Sequence, residues 1–148
     1  MKKYITLSLG LFFAMFHLCA QDISRRDVPS VVRNNFQNAF PEATDVEWER
    51  SGSDYEVEFE IGFWNDDHTV RYDREGKLLR HRKEIAKKEL SDAVYAVIKK
   101  NYMWYLITDA EQITEGNRIT YQVELKSFMR EKEILFDASG AVLEEEED

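Results

Sequence analysis

The chain has 148 residues, 43% of them hydrophobic and 33% charged, with 29 Asp and Glu against 20 Lys and Arg and a formal net charge of −9. That balance excludes a nucleic-acid binder, which needs clustered Lys and Arg to displace counterions from phosphates, and it disfavours adhesion to anionic lipid. A single cysteine excludes an internal disulfide, so stability has to come from a packed core.

The N-terminus differs from everything after it. Lys2 and Lys3 precede an apolar stretch from Ile5 to Leu18, followed by Cys19, Ala20 and Gln21 and then by charged residues. This is the layout of a secretory signal peptide, and the stretch is short of the about 20 apolar residues that span a bilayer. Residues 1–20 are therefore assigned to a signal peptide cleaved after Ala20, with a periplasmic or secreted product and no membrane insertion after cleavage. A lipid anchor on Cys19 is the alternative, but a lipobox has a small residue before the cysteine and here Leu18 follows His17. Cleavage after Ala20 removes the cysteine and both N-terminal lysines, leaving 18 basic against 29 acidic residues and a net charge of −11.

Val28, Val31, Val32, Phe36, Ala39 and Phe40 recur three or four apart, which predicts an amphipathic helix started by Asp27, tolerant of Pro29 in its first turn and stopped by Pro41. The period then changes to two. Val46 and Trp48 alternate with Glu47 and Glu49, and Tyr55, Val57, Phe59 and Ile61 alternate with Glu56, Glu58 and Glu60. These are half-buried strands joined by a turn at Ser51-Gly52-Ser53. Val70 and Tyr72 continue the pattern, Asp73 to Gly76 turns, and Leu78 to Arg82 gives another strand. The basic run from Arg80 to Lys88 reads as a solvated connector or the beginning of a second helix. That helix carries Leu90, Val94, Val97, Ile98 and Tyr102, with Ser91 or Asp92 at its start, and Glu144 to Asp148 reads as a frayed acidic tail.

The second half repeats the first. Val28, Val32, Phe36 and Phe40 match Leu90, Val94, Ile98 and Tyr102, all 62 apart; Tyr55 to Phe59 matches Tyr121 to Leu125; Asp73 to Leu79 matches Asp137 to Leu143. The fold class expected is α+β, two tandem units, each a helix packed on an antiparallel meander of about four strands. The first repeat covers residues 21–85, and the second, with the acidic tail, covers 86–148.

The exported start, Val31-Val32 to Phe40-Pro41, Val46-Glu47-Trp48, Tyr55-Glu56-Val57 and the Asp-x-x-Gly-x-Leu-Leu turn resemble the PepSY-like family of secreted Bacteroidetes proteins. That family is similar in fold to the beta-lactamase inhibitor protein, in which tandem units pair helices with a broad antiparallel sheet. The second copy departs from the pattern, with Met103 in place of Pro41 and no Trp matching Trp48. The resemblance implies no catalytic residues. It implies protein or peptide binding, with peptidase inhibition among the roles proposed for the wider group.

The residues give no enzymatic constellation. His68 and His81 are the histidines beyond the leader, no serine sits in a nucleophile elbow, and no cofactor is implied. Asn65, Asp66, Asp67 and His68 lack metal-ligand spacing and read as a turn, so no metal site is assigned. Glu56, Glu58 and Glu60 read as the wet face of a strand, offset by Arg71 on its neighbour. A partner surface is expected where each long hairpin carries a bulky apolar pair, Phe63-Trp64 and Phe128-Met129, with Trp104 and Tyr105 as weaker candidates. The leading expectation is thus an exported non-catalytic binding module for a protein or peptide, with inhibition of a hydrolase or peptidase among its expected roles. Its rivals are a structural or assembly component of the cell envelope and a small-ligand or cation carrier using the acidic sheet face.

Overall fold

The computed structural model describes residues 20–63 and 66–147, with side chains from Asp22 onward. Among them are two helices and a single antiparallel sheet whose nine strands lie in chain order. The elements are β1 (Ala20–Asp22), α1 (Ser30–Ala39), β2 (Thr44–Ser51), β3 (Asp54–Ile61), β4 (Asp66–Tyr72), β5 (Leu78–Glu84), α2 (Asp92–Asn101), β6 (Leu106–Glu115), β7 (Arg118–Lys126), β8 (Glu131–Asp137) and β9 (Val142–Glu147). The opening elements of the two halves recur at a constant interval. The 3-10 turns Arg25–Asp27 and Lys87–Glu89, the two ten-residue helices, and the starts of β2 and β6 are each 62 apart.

Register puts both helices on one face. Phe59 pairs with His68, His68 with Lys83, Lys83 with Gln112 and Gln112 with Tyr121. Directly paired residues point the same way, so the side of Phe59 is also the side of Tyr121. Each helix seals its own core there. Val32 and Phe36 of α1 pack on Trp48, Val57, Phe59, Val70 and Tyr72, while Val94 and Ile98 of α2 pack on Ala110, Val123, Leu125, Ile134 and Phe136. Phe36 meets Trp48 and Phe59 edge-on, with centroids 5.2 and 5.0 Å away, a geometry that places ring edges on ring faces.

The Asp-x-x-Gly turns anchor the helices to the sheet. Asp73 and Asp137 accept hydrogen bonds from the N–H groups of Lys77 and Ala141, closing each loop. Gly76 (φ 84°) passes so close to α1 that an added Cβ would sit 2.7 Å from Asn35, whose side-chain N–H donates to the Gly76 carbonyl at 2.8 Å. Gly140 (φ 88°) lies likewise beneath α2, where a Cβ would stand 2.9 Å from the Ala93 carbonyl oxygen. Glycine is required there twice over, by its backbone angle and by space.

Several sequence expectations are corrected. Helix α1 begins at Ser30 with Pro29 as its N-cap, while Asp27 ends a separate 3-10 turn capped by Ser24. Proline forces the preceding Val28 into an extended conformation (ψ 134°), so the helix cannot start earlier. The alternation at Val46 fails because the register shifts between Thr44 and Glu47, with Asp45 at φ 47°, and Val46 is left exposed. Residues 80–84 are not a connector but the second half of β5, and Lys87–Glu89 forms a 3-10 turn outside α2. The acidic end is an ordered strand through Glu147, because Lys132 holds Glu145 at 2.7 Å and Glu147 at 2.6 Å.

Beneath the C-terminus of α1 lies a histidine pair. His68 Nδ1 and His81 Nε2 are 2.9 Å apart, so one ring donates a hydrogen to the lone pair of the other. Phe40 and Phe59 pack against the rings. Burial lowers the pKa of both; nearby Lys83 lowers both further, while Asp66 and Asp67 oppose it at His68. His81 is brought down to about 4, with His68 itself contributing. The positions 64 residues later hold Lys132 and Glu145, an ion pair bonded in turn to the Tyr102 hydroxyl.

Phe136→Ala should lower unfolding free energy by about 3–5 kcal/mol, the usual cost of emptying an aromatic core site, measured by denaturant titration. Gly140→Ala should cost about 1–3 kcal/mol through its left-handed backbone alone. Both histidines have folded pKa values below the unfolded value, so their contribution is intact above about pH 6.5. It is lost progressively as pH falls toward the folded value, about 4 for His81. Thermal melts across that window should show a steeper loss for the parent than for a His68→Gln, His81→Gln variant.

Candidate functional site

The two ends of the sheet differ in chemistry. At one end the hairpins close on polar glycine turns around Gly52, Gly76, Gly116 and Gly140. At the other end lie the β3–β4 and β7–β8 hairpins and the loops that follow α1 and α2. Large apolar side chains gather at this second end. Phe63 is 90% exposed, Phe128 102% and Met129 85%, and in the α2–β6 loop Met103 is 66%, Trp104 84% and Leu106 75% exposed. Folding does not favour such exposure, and clustered exposed apolar surface marks interaction sites.

Local structure enforces it. In the β7–β8 hairpin Ser127 and Arg130 close a tight loop, with Ser127 N–H donating to the Arg130 carbonyl at 2.8 Å and Ser127 Oγ accepting from Arg130 N–H at 3.2 Å. Phe128 and Met129 are the two residues thrust outward. Leu106 pairs with Lys126 across β6 and β7, which makes the α2–β6 loop the direct neighbour of this tip. The β3–β4 tip with Phe63 stands four strand spacings away, about 19 Å at the usual interstrand distance. Trp64 lies outside the described residues. Tyr105 is half-buried against the second core and meets Tyr102 edge-on at 6.3 Å, so it supports the loop rather than projecting from it.

Sequence reasoning missed Met103, Leu106 and a groove behind them. The groove, of about 440 Å³, is floored by Ile98 and Ile107 and walled by Tyr95, Met103 and Leu106, with Lys87 and Lys99 at its border. A signal was available in the 62-residue spacing. The loop after α1 has Pro41, Glu42 and Thr44 where the loop after α2 has Met103, Trp104 and Leu106.

The helix-free face is charged. Arg71 bonds Glu56 at 3.2 Å, and Arg82 and Arg80 lie 3.7 and 3.6 Å from Glu111 and Glu115. Arginines of β4 and β5 thus offset acidic strands on both sides. Burial raises the Glu111 carboxyl pKa, with Arg82 opposing. A hollow of about 320 Å³ on this face is lined by Asp45, Glu47, Glu58, Glu60, Asp67 and Glu111, with Arg82 among them. Among the described residues no three His, Cys, Asp or Glu side chains converge to hold a metal ion. No helix among them is long and apolar enough to cross a membrane.

Solved structures share this fold. A DUF2874 family protein from Bacteroides uniformis ATCC 8492 matches with a TM-score of 0.68 at 18% identity, over 80% of this chain and 88% of that one. A protein from Bacteroides eggerthii DSM 20697, provisionally described as periplasmic, gives a TM-score of 0.70 at 14% identity over 81% and 88%. A BLIP-like protein from Bacteroides fragilis NCTC 9343 gives 0.65 at 18% identity over 80% and 85%. No curated protein matches the chain. A family model matches twice, over residues 15–80 and 59–144. The chain therefore belongs to the PepSY-like family, provisionally described as beta-lactamase-inhibitor-like.

Proposed function

We propose that this chain is an exported, non-catalytic binding module of two tandem units, 21–85 and 86–148, that holds a protein or peptide partner at the apolar end of its sheet. The observation that carries this reading is the exposure of Phe63, Trp104, Phe128 and Met129, each 84% or more, at one end, while the apolar residues beside the glycine turns of the opposite end, Leu78, Ile119, Val142 and Leu143, are 45% exposed or less. Aromatic and methionine side chains held on short loops are typical anchors, because they bury much area at little entropic cost. The BLIP-like neighbour and the family description agree with an inhibitor-type partner such as a hydrolase. The histidines fit this reading too. They bond one another under Phe40 and Phe59 instead of addressing a nucleophile.

Export is the second part of the proposal, supported by the leader-like start and by the periplasmic description of a structural neighbour. Intact-mass measurement of the protein recovered from the envelope should give a chain beginning at Gln21. Cation binding in the acidic hollow on the helix-free face is the second reading, one that calls for loose, solvent-assisted contact, since no three carboxylates among the described residues converge there. Under it, millimolar calcium would raise the melting temperature; an unchanged melt removes it.

The central test is affinity capture from envelope extract with the parent chain and a Phe63→Ser, Phe128→Ser, Met129→Ser variant. A partner that saturates the parent should bind the folded variant at least about 30-fold more weakly, the scale of a lost interface anchor. Equal recovery by both places the interface elsewhere. Co-fractionation with envelope complexes without any saturable partner would instead favour an assembly role.

A further inference from the structure

Resting on the binding-module reading, we infer that the groove beside α2 is a socket for an acidic peptide segment of the partner, one apolar side chain entering it and a neighbouring carboxylate bridging Lys87 and Lys99.

The repeated architecture supplies an internal control. The 3-10 turn, helix and following strand recur 62 residues apart, and the backbone bonds match. Phe40 N–H donates to the Phe36 carbonyl as Tyr102 N–H does to Ile98, and Ala43 donates to Phe40 as Tyr105 does to Tyr102. The same local fold is therefore built with two side-chain sets. In the first, Arg25 reaches across to Gln37, its guanidinium donating to the amide oxygen at 3.4 Å, and the loop carries Glu42 and Thr44. In the second, the corresponding pair is Lys87 and Lys99, and the loop carries exposed Trp104 and Leu106. Two lysines cannot bond each other. Neither is in an ion pair among the described residues, in a chain whose net charge is −9. The first set joins this pair by a hydrogen bond of its own; in the second both members are lysines that line an apolar groove. An incoming carboxylate would supply the missing bridge, and charge-assisted bonds of this kind are the stronger ones.

The shape favours a peptide over a membrane. The lysines come from two elements and line a concavity, which a peptide side chain can enter and the flat surface of a bilayer cannot. A groove of about 440 Å³ lies within the range that takes a few side chains.

The test uses the full chain as recovered from producing cells. The probes are fluorescein-labelled synthetic peptides of about ten residues bearing one Leu or Trp followed by two Glu, and the same peptides with Gln in place of Glu, titrated by anisotropy. The Glu peptides should saturate, weaken as salt rises, and bind at least about tenfold tighter than the Gln peptides. Two variants transplant the residues of the first half, Lys87→Arg with Lys99→Gln and Trp104→Glu with Leu106→Thr. The first half uses these side chains on the same backbone, so both should melt cooperatively, and each should lose at least about tenfold in affinity. Equal affinity for Glu and Gln peptides, or binding untouched by both transplants, overturns the inference. So does binding to phosphatidylglycerol vesicles with no peptide response. If the transplants still capture the envelope partner with parental affinity, the socket is wrong while the binding-module reading stands. If neither peptides nor any envelope partner saturates the parent, both fall together.

Discussion

Four residue pairs, His81 with Thr114 through Glu84 with Glu111, join β5 to β6, and the organisation of the molecule follows from them. Side chains alternate with a period of two, so a slip of one residue at this seam would turn the second half over. It would send Val123 and Leu125 to the opposite face from Val57 and Phe59, with α2 below the sheet and α1 above. With the register as it is, both helices share one side, and the antiparallel order of the strands puts the two hairpin tips that carry Phe63, Phe128 and Met129 at one end. The bonds are made by backbone, whereas the side chains nearest them, Ile113 apart, are polar or charged. The seam is therefore polar, and each half keeps a core of its own.

Much of this was legible because alternation and spacing are written one residue at a time. Tyr55, Val57 and Phe59 alternate with glutamates, and that pattern alone fixes which side packs. The offset between Val32 and Val94 is the offset between two helices. What the sequence concealed depended on partners distant in the chain. Arg80 to Lys83 looked like a solvated run because nothing nearby shows β6 waiting alongside. Glu145 and Glu147 looked like a frayed tail because Lys132, the cation they share, lies on the preceding strand. The bulge at Asp45 was invisible for a different reason, since a single left-handed residue leaves the local composition unchanged.

The exposed positions of the candidate site were legible in part for the same reason. Hairpin tips declare themselves, because an apolar pair between two alternating strands has no core to enter. The α2–β6 loop did not, as Trp104 and Tyr105 follow a helix where either could have turned inward; Tyr105 does and Trp104 does not. Comparing the two halves residue by residue separates what the fold demands from what it merely tolerates. Val32 and Val94 are demanded, and both are fully buried. Leu106, standing where Thr44 serves equally well, is tolerated.

Strand β9 has a consequence for the fate of the protein at high concentration. It is the last strand of an open sheet, with one row of backbone donors and acceptors facing outward, the usual template on which sheets grow from chain to chain. Its residues 144–147 are all glutamate. Two copies approaching edge to edge would bring these rows of like charge together, so the same residues that bind Lys132 within the molecule keep molecules apart. Acid, by neutralising them, would remove both safeguards together, loosening the strand and lifting the barrier to its capture by another.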